Sequence, residues 1–228
     1  MRVTFRAELD ELMADLARMA RLAGQMMTTA SIALHQIDLA LAELVIADRD
    51  QMNAMLDDTE QRCVTVLALQ APVAGDLRVV VAVLRAVGHV RRMGDLARHI
   101  AIVARLKHPN PMISGKVRPV LARMSLLVSQ LAEDAATAIE YQDPLSGYRL
   151  AIADDEVDAL LRHLFDILFA QGWSHSVEQA VDAALIGHYY EGFADHAVAI
   201  ARQVCYLATG QISEPVAGVT VNLASCAR

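Results

Sequence analysis

Long uninterrupted apolar runs are absent from this 228-residue sequence, although its hydrophobic fraction is 55%. A membrane-spanning helix needs about 20 consecutive apolar residues. Here charged residues interrupt the apolar ones at helical intervals, and the charge-free stretch 22–37 carries several polar side chains. Aromatic residues make up only 4%, and the β-branched runs typical of strands are almost missing. We therefore expect a soluble protein that does not insert into membranes.

Cysteines and excess positive charge are also scarce. The three cysteines, Cys63, Cys205 and Cys226, are too few and too far apart for a disulfide framework or a zinc knuckle. A formal net charge of −7 argues against a nucleic-acid partner, because such binding needs clustered Lys and Arg to neutralise phosphates. The first residues show no apolar signal core. We expect a cytoplasmic protein with reduced thiols and no nucleic-acid partner.

Ala, Leu, Met and Val recur at steps of three and four residues through most of the chain, which predicts an all-α fold. The periodicity is interrupted near Asp38 and at residues 70–75, 107–111, 143–147 and 171–174. Prolines at three of these breaks disfavour helix at the preceding residue. We expect the last helix to end near Thr209 and residues 211–228 to form a flexible tail.

The two halves of the chain resemble each other. Aligning Asp95 with Asp195 also pairs the Ala and Ile residues that follow them, and the sequence Ile-Ala-Asp occurs at both 46–48 and 152–154. A period of about one hundred residues is too long for a solenoid. We therefore predict two tandem three-helix bundles, over residues 1–108 and 109–210. Their middle helices are expected to begin near Asp48 and Asp154.

Three segments carry a resemblance to a known family. Residues 70–78 read QAPVAGDLR, residues 91–99 lie on the helix that follows, and residues 191–201 read EGFADHAVAIA. This set resembles the signature of the PhoU family, in which a Q-x-P-V-A-x-D-L-R turn precedes a helix with E-x-x-x-D-x-A-x-x-I-A. The resemblance covers roughly residues 4–210 in the expected order.

The resemblance implies two three-helix bundles related by a pseudo-two-fold, usually in a homodimer. It also implies a non-enzymatic regulator that restrains the phosphate-starvation response when phosphate is plentiful. The implied partners are the ATPase subunit of a phosphate ABC transporter and a phosphate-sensing histidine kinase.

Paired carboxylates in the second half indicate a cation site. Glu191 and Asp195 lie four residues apart on one helical face, where like charges repel. A buried pair needs a cation, and carboxylate oxygens suit Mg, Ca, Mn or iron; the resemblance adds iron or zinc. Asp158 on the preceding helix could complete the site, with Asp154 and His188 as further ligands. In the opposing interpretation these acids are solvated or paired with Lys and Arg.

The first half departs from this pattern. Arg91 stands where the family has Glu, and Asn53 stands where the second half has Asp158. A guanidinium can form a bidentate ion pair with a carboxylate, so we expect Arg91 to pair with Asp95 and the first half to bind no metal. His99, one turn beyond Asp95, is expected to be a hydrogen-bonded neighbour.

The turn at residues 70–78 suits a helix break, because its Asp76 falls at a helix start, where a negative charge favours the helix dipole. Loops at the ends of bundles also commonly carry recognition. We predict that Gln70, Asp76 and Arg78 contact a partner. His196 is expected to be a structural imidazole rather than a metal ligand.

Two other functions stay open. A ferritin-like carboxylate oxidase needs Glu-x-x-His on two helices, and no glutamate here is followed three residues later by histidine. Composition alone allows a helical scaffold or adaptor unrelated to phosphate, and only the motif set argues against it. The signatures of nucleotide-binding loops and catalytic serines are missing. We predict that the protein is not an enzyme.

Overall fold

The computed structural model describes residues 2–110, 115–171 and 173–211, and in these residues the chain forms six α-helices and no strand. The helices are α1 (Arg2–Gln36), α2 (Leu39–Gln70), α3 (Ala74–Lys107), α4 (Val117–Tyr141), α5 (Ser146–Phe169) and α6 (Val177–Thr209). The predicted all-α fold is confirmed. Apart from Gln211, the expected tail lies outside the described residues, as does Cys226.

Helix starts follow from local hydrogen bonds. The carboxylate of Asp38 accepts a hydrogen bond from the Leu41 N–H at 3.1 Å and caps α2. Ser176 and Gln179 form a capping box at the start of α6, in which each side chain accepts from the other residue's N–H at 3.2 Å. These bonds satisfy N–H groups that have no partner inside the helix.

The middle helices are longer than the sequence pattern predicted. Starts near Asp48 and Asp154 are wrong, since α2 begins at Leu39 and α5 at Ser146. At α5 the carboxylate of Asp143 accepts the Leu145 N–H at 2.9 Å, which closes the turn before the helix. The repeated Ile-Ala-Asp segments therefore lie inside helices rather than at their starts.

The six helices form two three-helix halves. In the centre α1 packs against α3 and α4, and α6 packs against α3 and α4. The outer helix α2 covers α1 and α3, whereas α5 covers α4 and α6. One continuous cluster of buried apolar side chains runs through both halves. None of the described helices is long and apolar enough to cross a membrane.

Small residues let the halves approach closely between α1 and α4. A Cβ added at Gly24 would lie 2.7 Å from the Cβ of Ala132, and Oγ1 of Thr28 lies 2.9 Å from Oγ of Ser129. Arg21 of α1 donates to Glu133 on α4 at 2.8 Å beside this contact. The two halves are therefore held in register by packing and by polar contacts.

Candidate functional site

Two pairs of carboxylates meet where α5 packs against α6. Asp154 and Asp158 are one turn apart on α5, and Glu191 and Asp195 are one turn apart on α6. Burial, together with the charges of Asp195, Asp158 and Glu191, raises the pKa of Asp154 to about 7. The Oδ1 atom of Asp154 is buried without a hydrogen-bond partner. This carboxylate lacks the compensation that a buried charge requires.

The two α6 carboxylates are perturbed in the same direction. Partial burial raises the pKa of Glu191, and the charges of Asp195 and Asp158 add to this effect. His188 opposes it, because its Nδ1 lies 3.1 Å from Oε2 of Glu191. Partial burial and Asp158 also raise the pKa of Asp195, which lies at the solvent-exposed rim. Asp154, Glu191 and Asp195 therefore hold protons more tightly than free carboxylates do.

In the described part of the chain, no three His, Cys, Asp or Glu side chains are close enough together to hold a metal ion. The chemistry of the donors nevertheless fits a hard cation, because several carboxylates share one side of the α5–α6 pair and one oxygen is orphaned. Among the described residues, no Lys or Arg lies within ion-pair distance of these four carboxylates, although the charge of Arg202 acts to lower the pKa of Asp195. Of the opposing interpretation, direct pairing with Lys or Arg is therefore not supported, whereas solvation holds for Asp195, which is exposed.

The first half has an internal ion pair at the equivalent place. Arg49 of α2 donates from Nε at 2.9 Å and from Nη2 at 2.7 Å to the same Oδ1 of Asp95 on α3. Its Nη1 donates to Oδ1 of Asn53. The Arg49 side chain is only 9% exposed, so this is a largely buried pair with its donors directed at two neighbours.

The expected pair between Arg91 and Asp95 is wrong. Arg91 instead donates to Asp57 at 2.9 Å and to Glu60 at 3.1 Å on α2, and makes a longer contact of 3.3 Å with Asn53. Arg91 points across to the outer helix, whereas Arg49 reaches from that helix to Asp95. Arg49 lies on a different helix from Asp95, so the four-residue spacing that points to Arg91 gives no indication of it.

Two predicted histidines lie at the contact between α3 and α6. Nδ1 of His196 is 3.1 Å from Nδ1 of His89, a residue that the sequence analysis did not select. Burial, with the charges of His89 and Arg92, lowers the pKa of His196 to about 4. His99 lies against the ring of Tyr189, and its buried Nδ1 has no hydrogen-bond partner. The expected hydrogen-bonded role of His99 is therefore not made through Nδ1.

The predicted partner-binding residues differ in their surroundings. Gln70 is exposed at the end of α2, and Asp76 is half-buried in the first turn of α3. The guanidinium of Arg78 lies against Gly210 at the end of α6, where a Cβ would come within 2.7 Å of its Nη1. Arg78 therefore also has a structural role between the halves. Two residues of the turn, Ala71 and Ala74, have left-handed backbone conformations.

Comparison with known proteins points to one family. The PhoU domain matches residues 16–104 and 121–204 of this chain. A phosphate-specific transport system accessory protein, PhoU homolog 1 of Mycobacterium leprae, is 41% identical over 214 residues, which cover 94% of this chain and 96% of that protein. PhoU homolog 2 of Mycobacterium tuberculosis is 41% identical over 210 residues, 92% of this chain and 99% of that protein.

Solved structures agree with the fold. The crystal structure of the phosphate transport system regulatory protein PhoU from Streptococcus pneumoniae superimposes with a TM-score of 0.84 at 24% identity, covering 92% of this chain and all of that one (100%). PhoU from Pseudomonas aeruginosa gives 0.79 at 26% identity, with coverages of 91% and 100%. Both similarities extend over the two three-helix halves.

Proposed function

Because this chain belongs to the PhoU family, we propose that it regulates phosphate uptake and the phosphate-starvation response by binding other proteins rather than by catalysis. Its relatives are named as phosphate-specific transport accessory proteins, and they match almost its whole length. This extended match carries the proposal. The protein acts in the cytoplasm as a negative regulator of the phosphate regulon.

The partners we propose are the ATPase subunit of the phosphate ABC transporter and the phosphate-sensing histidine kinase. The turn between α2 and α3 supports a contact surface, because Leu69 and Val73 are 74% and 72% exposed beside the polar side chains of Gln70 and Asp76. Exposed apolar residues next to hydrogen-bonding groups are typical of protein interfaces. We further propose that the protein is a homodimer.

We also propose that the second half binds a divalent, iron or zinc cation. Glu191, Asp195 and Asp158 would hold it, with Asp154 and His188 as further ligands. The support is the set of raised carboxylate pKa values and the orphaned Asp154 oxygen. A bound cation would neutralise the repulsion among these carboxylates. The first half is proposed to bind none.

Deletion of the gene in its own host tests the regulatory proposal. In phosphate-replete medium, deletion should raise the output of a phosphate-regulon reporter, and the wild-type gene should restore repression. Unchanged output in a strain without a second copy of the family would contradict negative regulation.

Co-purification tests the partners separately. The full chain should retain the transporter ATPase or the kinase, and the double variant Gln70→Ala, Asp76→Ala should retain less. Gln142→Ala, at an exposed glutamine in the turn between α4 and α5, is the control. Equal retention by both variants would remove the α2–α3 turn from the interface.

A further inference from the structure

The burial pattern shows which residues of the two halves are equivalent. On α2, Val45 and Met52 are buried and Arg49 lies between them; on α5, Leu150 and Val157 are buried and Asp154 lies between them. Arg49 is thus the counterpart of Asp154. The repeated Ile-Ala-Asp segments would instead make Asp48 the counterpart of Asp154.

The same register makes Asn53 the counterpart of Asp158. On α3 and α6, the alignment of Asp95 with Asp195 makes Arg91 the counterpart of Glu191. The second half has four carboxylates at these positions. The first half keeps one of the four, and two of its replacements are arginines. The summed charge of these four side chains is therefore negative in the second half and positive in the first.

Arg49 occupies this position with defined contacts. Its guanidinium donates to Asp95 and Asn53, the residues that correspond to Asp195 and Asp158. A cation placed among these oxygens would meet a fixed positive charge instead of a vacancy, because Arg stays protonated at any ordinary pH. The cation implied by the family therefore does not fit the first half.

We infer that the guanidinium of Arg49 has replaced a bound cation in the first half, so that the contact between α2 and α3 is independent of metal while the contact between α5 and α6 is not. The metal dependence of the α5–α6 contact rests on the cation proposed above. The metal independence of the α2–α3 contact rests only on the contacts of Arg49. Cation-dependent changes in this protein would then be confined to one half of the molecule.

Hydrogen exchange of the full-length chain, with Mn²⁺ and with EDTA, resolves the two halves. We expect Mn²⁺ to slow exchange in α5 and α6 and to leave α2 and α3 unchanged. Slower exchange of α2 and α3 with Mn²⁺ would overturn the inference. Unchanged exchange in α5 and α6 would contradict the proposed second-half cation and, with it, the metal dependence of the α5–α6 contact.

Arg49→Ala tests directly whether Arg49 makes the α2–α3 contact independent of metal. It leaves Asp95 without its main partner, so the thermal midpoint should fall by roughly 5–10 °C, equally with Mn²⁺ and with EDTA. Arg92→Ala is the matched control, because Arg92 lies 3.6 Å from the same carboxylate but is 57% exposed, and its midpoint should change little. If Mn²⁺ restored the thermal midpoint of Arg49→Ala, or if its midpoint fell no further than that of the control, Arg49 would not be the replacement for a cation in the first half.

Restoring the carboxylates is the converse test. The triple variant Arg49→Asp, Asn53→Asp, Arg91→Glu should bind one Mn²⁺ more per chain than the wild type and gain Mn²⁺-dependent protection in α2 and α3. A folded variant that gains neither would show that these three differences do not decide cation binding. If the variant does not fold in EDTA, folding on addition of Mn²⁺ supports the inference, and failure to fold with Mn²⁺ counts against it.

Discussion

The hydroxyl of Tyr190 on α6 donates a hydrogen bond of 2.9 Å to Oγ of Ser31 on α1. Ser31 in turn donates to the carbonyl oxygen of Met27 at 2.7 Å. Tyr190 is fully buried, and burial raises the pKa of its hydroxyl. This polar chain lies inside an apolar core and joins one half of the molecule to the other.

Removing the Tyr190 hydroxyl and removing the Ser31 hydroxyl should lower the free energy of unfolding by different amounts. Tyr190→Phe leaves Ser31 donating to Met27 and should lower the free energy of unfolding by about 1 kcal/mol. Ser31→Ala leaves a buried tyrosine hydroxyl without an acceptor and should cost about 1–3 kcal/mol. Urea denaturation of both single variants and the double variant measures the difference. A double variant as costly as the sum of the two singles would show that the residues are not coupled.

The His89–His196 contact should make stability fall in mild acid. When both imidazoles are neutral, one can donate to the other, whereas two protonated rings would face each other with like charges. Burial lowers the pKa of both, that of His196 to about 4. Below their ordinary pKa of about 6.5, the unfolded chain therefore binds protons that the folded chain does not.

Stability from this pair is thus present above pH 6.5 and is lost as the pH falls toward 4. After allowance for solvent screening, His196→Gln should remove about 1–2 kcal/mol of the acid-dependent loss between pH 7.5 and 5. The control is His163→Gln, at an exposed histidine on α5. If the urea midpoints of wild type and His196→Gln depend on pH in parallel, the pair does not titrate in this window.

Asp154→Asn should affect stability with the opposite pH dependence. The pKa of Asp154 is raised to about 7 in the folded chain, from about 3.9 in an unfolded one. The folded state therefore favours the proton, and the penalty for the charged form is complete above pH 7 and disappears as the pH falls toward 4.

In EDTA, Asp154→Asn should therefore stabilise the protein at pH 8 by about 1–2 kcal/mol, after discounting for partial exposure, and by much less at pH 5. Asp155→Asn, at the exposed adjacent position, should have little effect at either pH. A destabilised Asp154→Asn at pH 8 in EDTA would mean that its carboxylate has a favourable partner.

The end of α6 should be sensitive to a single methyl group. Gly210 has φ of 73° and donates its N–H to the Tyr206 carbonyl oxygen at 2.8 Å, so it closes the helix in the left-handed conformation. Gly210→Ala combines that backbone strain with a contact against Arg78 and should cost about 1–2 kcal/mol.

Two variants separate the causes. Gly210→Asn should show less backbone strain, since Asn adopts this conformation more readily. In an Arg78→Ala background, the cost of Gly210→Ala should fall to the backbone part alone. Denaturation midpoints that give the same cost in both backgrounds would show that Arg78 moves aside freely.

The helical breaks were predictable because they depend on local chemistry. The expected interruptions at residues 70–75 and 107–111 correspond to the ends of α2 at Gln70 and α3 at Lys107, and the last helix ends at Thr209 as expected. Proline and the turn-forming residues act on their own backbone and the preceding residue, so no tertiary information is required.

The repeated carboxylates were also predictable in part. A spacing of four residues places Glu191 and Asp195 on one face of any helix, and Asp158 was expected to face them from the preceding helix. The alignment of α2 with α5 was not predictable from the repeated Ile-Ala-Asp segments, because these segments align Asp48 with Asp154. The pattern of buried residues instead aligns Arg49 with Asp154.

The sequence by itself therefore determined the all-α fold, the two halves, the family and the acidic face of α6, since each depends on periodicity or on a contiguous motif. Only the tertiary structure decided that Asp95 pairs with Arg49, that Arg91 turns to Asp57 and Glu60, and that His89 meets His196. These contacts join residues on different helices. They depend on how one helix is rotated and shifted against its neighbour, and no spacing along a single helix contains that information.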